Sequence, residues 1–147
     1  MFDSIVVGTD GSETAGQAVS QAIAIGLLLG ARLQIVSAYE PQAEEAVPSD
    51  PGAVQDPGWT VGPHRDVLAL LERAESEAHA AGLEEVATFA RQGDAADAII
   101  DVAEEQSADL IVVGNKGMSG ARRFLLGSVP NRVSHHAPCS VLIVRTR

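Results

Sequence analysis

The sequence predicts an α/β protein, a three-layer αβα sandwich built on a five-stranded parallel, Rossmann-like sheet. Three observations predict it. Short β-branched runs alternate with segments of helical periodicity from end to end. Ile5-Val6-Val7 and Leu110-Ile111-Val112-Val113 are apolar at every position, the pattern of strands buried on both faces of a parallel sheet. No internal repeat or composition shift divides the 147 residues, a length that one hydrophobic core can serve. Residues 1–147 are therefore read as a single domain, with right-handed crossovers placing helices on both faces of the sheet.

The first strand, Ile5-Val6-Val7, gives way to Gly8-Thr9-Asp10-Gly11-Ser12. Ser12 suits the N-cap of the first helix, and Glu13 is favourable in its first turn. Ala15, Ala18, Val19, Ala22, Ile23 and Ile25 give that helix an apolar face, and Gly30 stops it. Gly16 and Gly26 weaken it locally and are expected to allow close packing on the sheet. Leu33 to Ala38 is the second strand. From Glu40 to Pro63 five prolines and three glycines replace any periodicity, so residues 40–63 are expected to form a flexible loop or lid. Trp59 lies within it and suits a packing anchor better than a stacking platform.

Val67, Leu68, Leu70, Leu71, Ala74 and Ala78 resume helical spacing in a second helix that ends at Gly82. Val86 to Arg91 is the third strand. It is the least apolar, which places it near an edge, with Val86, Thr88 and Ala90 on one face and Ala87 and Phe89 on the other. Asp94 can cap a third helix carrying Ala95, Ala98, Ile99, Val102 and Ala103. Asp109 to Gly114 is the fourth strand. A Gly-rich stretch, a short helix near Val129 to His136 and a fifth strand, Val141 to Val144, complete the chain.

Composition excludes several functions. The formal net charge is −10, and aromatics are 3%, so neither a polyanion-neutralising surface nor a base-stacking platform is expected. One cysteine makes no internal disulfide and no structural zinc site, and Cys139 reads as a small residue packed near a strand start. The N-terminus lacks a basic region followed by a long apolar run, and Ala22 to Ala31 falls short of the roughly 18 residues that span a bilayer. A cytoplasmic protein with no nucleic-acid and no membrane partner is expected.

Ligands of open α/β sheets bind beyond the carboxyl ends of the strands. Two such ends carry unusual chemistry: Gly8 to Ser12, and the stretch from Gly114 to Ser128. Gly114 and Gly117 let the backbone approach a ligand closely. Gly127-Ser128 opens a helix with Pro130 in its first turn, where a missing N–H costs little. The unpaired N–H groups and the helix dipole make that start an anion site. Ser128 can cap the helix or turn its hydroxyl to a phosphate; the alternative is a plain β–α connection with a serine cap. Asp10, likewise, can be a turn and capping residue or a ligand contact. No GxGxxG after a strand, no GxxxxGK[ST] and no HExxH is present, which argues against a dehydrogenase, a Walker-type NTPase or a zinc protease.

The spacing Gly114-x2-Gly117-x9-Gly127-Ser128 resembles the nucleotide signature of the universal stress protein family. Val6-Val7-Gly8-Thr9-Asp10-Gly11-Ser12, Ala108 to Gly114 and Ser140-Val141-Leu142-Ile143-Val144 resemble the family too, and only residues 40–63 fall outside the likeness. The resemblance implies the adenine nucleotide alpha hydrolase-like version of the fold, ATP at the strand ends, and a homodimer. It implies that Asp10 meets the ribose or a phosphate-bound Mg²⁺, with Gly8 and Thr9 as its neighbours. It implies that Ala38 offers a backbone contact to adenine, and that Val113, Gly114 and Gly117 line the adenine side and the ribose-phosphate loop. Gly127, Ser128 and Val129 are implied to hold the phosphates. Lys116, Arg122 and Arg123 are particular to this chain.

The reading that follows is an ATP-binding stress or signalling protein whose occupancy changes its conformation or partners. A cyclic AMP binder is the alternative, since one phosphate also suits the helix start, and a weak ATPase is another. Hydrolysis requires an oriented water, and no Asp or Glu follows position 114 to serve as a base, so turnover is expected to be slow at most and no catalytic residue is assigned. His135 and His136 are adjacent and face different ways, which suits no shared metal. The apolar final strand, if it lies at the sheet edge, needs a partner, and a homodimer through Val141–Val144 would supply one. Charge is uneven. Residues 114–147 hold six basic residues and no acid, while all 20 acids precede them. The single electropositive segment is the one with the glycine motif, which favours a small phosphorylated ligand there.

Overall fold

The computed structural model describes residues 2–39, 64–115 and 128–145. Among these residues five strands and four helices alternate: β1 (Ser4–Gly8), α1 (Glu13–Leu29), β2 (Arg32–Tyr39), α2 (His64–Ala81), β3 (Val86–Gln92), α3 (Ala95–Glu105), β4 (Leu110–Gly114), α4 (Ser128–His136) and β5 (Ser140–Val144). The sheet order is β3-β2-β1-β4-β5 and every pairing is parallel. This is the predicted α/β architecture, with β3 and β5 at the two edges.

Side-chain alternation divides the core between the two faces. Ile5, Val7, Leu33, Ile35, Leu110 and Val112 pack with α1 and α2. Val6, Val36, Ala38, Ile111 and Val113 pack with α3 and α4. The period of two in β1, β2 and β4 thus serves two apolar layers, so no position in these strands is left for polar alternation. The polar exceptions are Ser4, Gln34 and Ser37, the first two at the amino ends of their strands. Gln34 is buried 3.1 Å from Ser4 Oγ, and with its amide turned to match its neighbours its nitrogen donates to Ser4 Oγ and to Ile5 O at 2.9 Å while its oxygen accepts from Arg32 Nε at 3.3 Å. These bonds satisfy the amide and tie β2 to β1 in one register.

Local signals behave as the sequence predicts at most termini. Ser12 Oγ accepts the N–H of Ala15 at 3.2 Å, and Asp94 accepts that of Asp97 at 3.0 Å, so both predicted N-caps form. Gly30 closes α1 in the left-handed conformation, φ +68°. Three expectations change. Gly16 meets open space where a Cβ would stand, and Gly26 packs against Leu83 in the α2–β3 connection, so neither brings α1 close to a strand. Asp109 lies outside β4, and its carboxylate instead accepts the N–H groups of Asp3, at 2.9 and 3.1 Å, and Ser4, at 3.1 Å. β5 begins one residue early, at Ser140. The expected loop at 40–63 and its Trp59 lie outside the described residues.

Candidate functional site

The strand order fixes where a ligand can bind. From β1 the chain leaves through α1 on one face; it reaches β4 from α3 on the other. β1 and β4 are neighbours, Val7 opposite Val112, so their carboxyl ends flank the point where the winding reverses. The segment after β1 holds Thr9 and Asp10, and the helix after β4 is α4.

Thr9 and Asp10 are both buried, at 3% and 2% exposure. The Thr9 N–H donates to Val36 O at 3.0 Å, which extends the β1–β2 ladder by one residue. Thr9 Oγ1 accepts the Gly11 N–H at 3.1 Å, and Asp10 Oδ1 accepts the Ser12 N–H at 2.9 Å. The two side chains therefore shape the turn that feeds α1, while the cap itself belongs to Ser12. A carboxylate here is an acceptor only. It suits ribose hydroxyls or a cation bridged to phosphate, and it repels a bare phosphate.

On the opposite face, Ala38, Val113 and Val129 share one apolar cluster although they come from β2, β4 and α4. Ala38 is fully buried, and Gly8 lies level with Val36 in the β1–β2 register. Gly114 is level with Val144, and the Asn115 N–H continues that ladder to Val144 O at 3.0 Å. Thus Gly8, Thr9, Asp10, Ala38, Val113, Gly114, Ser128 and Val129 gather at the carboxyl end of the sheet. Gly117 and Gly127 lie outside the described residues, as do Lys116, Arg122 and Arg123.

Ser128 is the first helical residue of α4, so the position that would cap it, 127, is not among those described. Ser128 and Val129 carry the N–H groups that open the helix, and Pro130, third in it, has none. Val129, Pro130 and Val133 are buried and hold the helix down. Arg132 makes its lateral polar tie: Nη1 reaches Asp94 Oδ2 at 3.1 Å and Nη2 reaches Asp97 Oδ1 at 2.9 Å. The sequence marks Arg132 only as one charge in a basic segment.

Two further contacts were not legible in the sequence. Tyr39, at the end of β2, stacks on His64, at the start of α2, with ring centroids 4.3 Å apart and planes 14° from parallel. Arg91 forks onto Glu105 at 2.7 and 3.0 Å and lies 5.4 Å from the Phe89 ring centroid, guarding the β3 edge. The cysteine behaves as expected of a packing residue. Burial, with the Asp109 carboxylate adding to it, pushes the Cys139 thiol pKa above its ordinary value, which disfavours the nucleophilic thiolate. Among the described residues no three His, Cys, Asp or Glu side chains are grouped to hold a metal ion. No helix there is long and apolar enough to cross a membrane.

The fold defines a class: a doubly wound, parallel α/β protein whose winding reverses between β1 and β4. The profile of the universal stress protein family matches residues 1–145. A universal stress protein of Mycobacterium tuberculosis is 41% identical over 145 residues, covering 99% of this chain and 97% of the relative. One of Thermus aquaticus is 36% identical over 146 residues, covering 99% and 100%. Among solved structures, a universal stress protein in complex with cAMP superposes with a TM-score of 0.74 at 36% identity, covering 99% of both chains. The chain belongs to the universal stress protein family.

Proposed function

We propose that this protein binds an adenine nucleotide, ATP, at the carboxyl ends of β1, β2 and β4, and that occupancy modulates its conformation or its partners in stress signalling. The observation that carries the reading is the switch point. Buried Asp10 follows the central strand β1, and α4, with its first-turn amides, follows the neighbouring β4. Ala38 and Val113 supply backbone for the adenine, with Gly8 and Thr9 beside them. Gly114 and Gly117 allow close approach to the ribose and phosphates, and Gly127, Ser128 and Val129 receive the phosphates.

The donor set fits such a ligand. Backbone N–H groups and the Ser128 hydroxyl are donors without a formal negative charge, arranged at the positive end of a helix dipole. Asp10 is an acceptor that takes ribose hydroxyls, or Mg²⁺ brought by the phosphates; Mg²⁺ commonly binds through one or two carboxylates plus phosphate oxygens, so a full protein cage is not needed. The ion would neutralise phosphate charge. No Asp or Glu lies from position 114 onward, and Asp10 suits ribose or metal better than the role of base, so hydrolysis is at most slow. The reading places the protein in the cytoplasm, as a homodimer, with neither nucleic acid nor membrane as partner.

One observation favours a second reading, cyclic AMP. A relative at 36% identity, covering 99% of each chain, has been solved with it. The single phosphate of cAMP also suits one helix start. The deciding experiment is mass spectrometry of nucleotide released from the purified, denatured protein, followed by calorimetric titration of the emptied protein with ATP and with cAMP. ATP on release and tighter ATP binding support the first reading. Release of cAMP supports the second, and no binding of either sinks both. Gly117→Val should abolish binding without unfolding the protein.

A further inference from the structure

A forked ion pair lies beside the helix that the proposed function gives to the phosphates. α4 is short, nine residues, and buries only Val129, Pro130 and Val133. Its buried side meets the α3 side of the core, where Ala95, Ala96, Ala98 and Ile99 belong to the same cluster. Apolar contacts of this kind resist separation of two helices but resist sliding along their axes much less. Arg132 supplies the missing restraint. Its guanidinium bridges the N-cap of α3, Asp94, and the first-turn Asp97, through two bonds of 3.1 and 2.9 Å. Asp94 simultaneously accepts the Asp97 N–H at 3.0 Å, so the fork grips a carboxylate already fixed by its own helix. A planar donor fork gripping two acceptors has one matching register.

We propose that Arg132 is a positioning residue, a clamp that sets the height of the first turn of α4 against α3 and thereby where its amides meet a phosphate. Arg132 is four residues from Ser128, on the same face of α4 and one turn deeper. The basic charge that looks available for a nucleotide is spent on two acids of α3. Arg132 thus acts through the helix, without touching phosphate itself. The clamp rests on the reading of α4 as the phosphate-holding helix, and two independent measurements separate the two claims.

The first is hydrogen exchange on the ligand-free protein. R132Q and D97N should each speed exchange of the Arg132, Val133 and Ser134 amides, while β1 and β4 amides keep their protection. Unchanged α4 exchange overturns the clamp, whatever is found for nucleotides. The second is calorimetric affinity for ATP and for adenosine in about 0.15 M salt, where the Debye length is about 8 Å and the field of an exposed carboxylate is screened. Both variants should weaken ATP about fivefold, the size expected of a geometrically good exposed ion pair, and leave adenosine unchanged. Equal losses for ATP and adenosine point to a general loosening and overturn the proposal. Stronger ATP binding in D97N with weaker binding in R132Q makes Arg132 a direct phosphate contact and overturns it too. A wild-type protein that binds neither ligand sinks the nucleotide reading, and the proposal that the clamp serves a phosphate falls with it.

Discussion

Gly11 and Leu70 bring the turn after β1 against α2. Gly11 has φ +83°, and a Cβ placed on it would stand 3.1 Å from Leu70 Cδ2. Both facts oppose a side chain there. The left-handed conformation favours glycine, and Leu70 is 6% exposed within the α1–α2 core, so it has little room to withdraw. Gly11→Ala should therefore destabilise the protein by about 1–3 kcal/mol, read as a lower urea midpoint with unchanged slope. Gly30→Ala is the instructive contrast. It shares the left-handed φ, +68°, but nothing lies within 4 Å of its Cβ position, so it should cost less. Equal costs would remove Leu70 from the explanation.

Asp109 gives stability a sign with pH. Burial pushes its carboxyl pKa up, but the N–H bonds from Asp3 and Ser4, a further backbone bond and the chain N-terminus outweigh it, so the pKa lies below the ordinary value. A depressed folded pKa means the folded state prefers the anion. The contribution is thus complete above the unfolded carboxylate pKa, near about 4, and is lost as pH falls through the lower folded value. Because solvent screens this site, its size is at most about 1 kcal/mol. Asp109→Ala should lower stability at pH 7 and have a smaller effect at pH 2–3. A gap between wild type and variant that widens on acidification would contradict the assignment.

Ser37 is the opposite case, a polar atom with nothing to gain. It is fully buried in β2, and among the described residues its hydroxyl has no hydrogen-bond partner. An unpaired buried hydroxyl costs its desolvation, about 1–3 kcal/mol, which removal of the group recovers. The cavity left by one oxygen offsets part of that gain. Ser37→Ala is therefore expected to be neutral or stabilising by up to about 1 kcal/mol in thermal unfolding. A loss above about 1 kcal/mol would mean that the hydroxyl is satisfied in solution.

The legible part of this protein was what short-range physics decides. Ile5–Val7 and Leu110–Val113 had to be doubly buried strands because nothing else tolerates such runs, and Ser12 and Asp94 had to cap because they stand just before helical periodicity. The weak apolar character of β3 marked it as an edge. What escaped was long-range. Arg132 meets Asp94 and Asp97 across more than 30 residues, and Tyr39 meets His64 across 24 intervening ones. No local pattern carries such pairings, because they depend on how helices are set against one another. Asp109 misled for a related reason. Its neighbours are β-formers, but its carboxylate is used by the backbone of the N-terminal strand, 105 and 106 positions away.

β5 supplies the last prediction. Among the described residues it is an edge strand, paired on one side, to β4. Leu142 is 38% exposed, and Val141, Ile143 and Val144 are half-buried in a strand of five residues. The strand has no inward-pointing charge and no proline, devices by which edges usually avoid pairing. β3, the other edge, is guarded by the Arg91–Glu105 fork, so the two edges are not equivalent. An unguarded apolar edge is stable in solution when covered, and a second copy of β5 across a two-fold axis would cover it. Ile143→Pro removes one N–H from β5 and bends its edge. Ile143 lies opposite Val113 of β4, so a second variant is needed that leaves that ladder intact. Leu142→Lys provides it, placing a charge on the exposed side chain alone. Both variants should run as monomers in sedimentation velocity while Leu142→Lys keeps the wild-type circular dichroism spectrum. A wild-type monomer, or a Leu142→Lys protein that stays dimeric at micromolar concentration, would exclude β5 as the dimer contact.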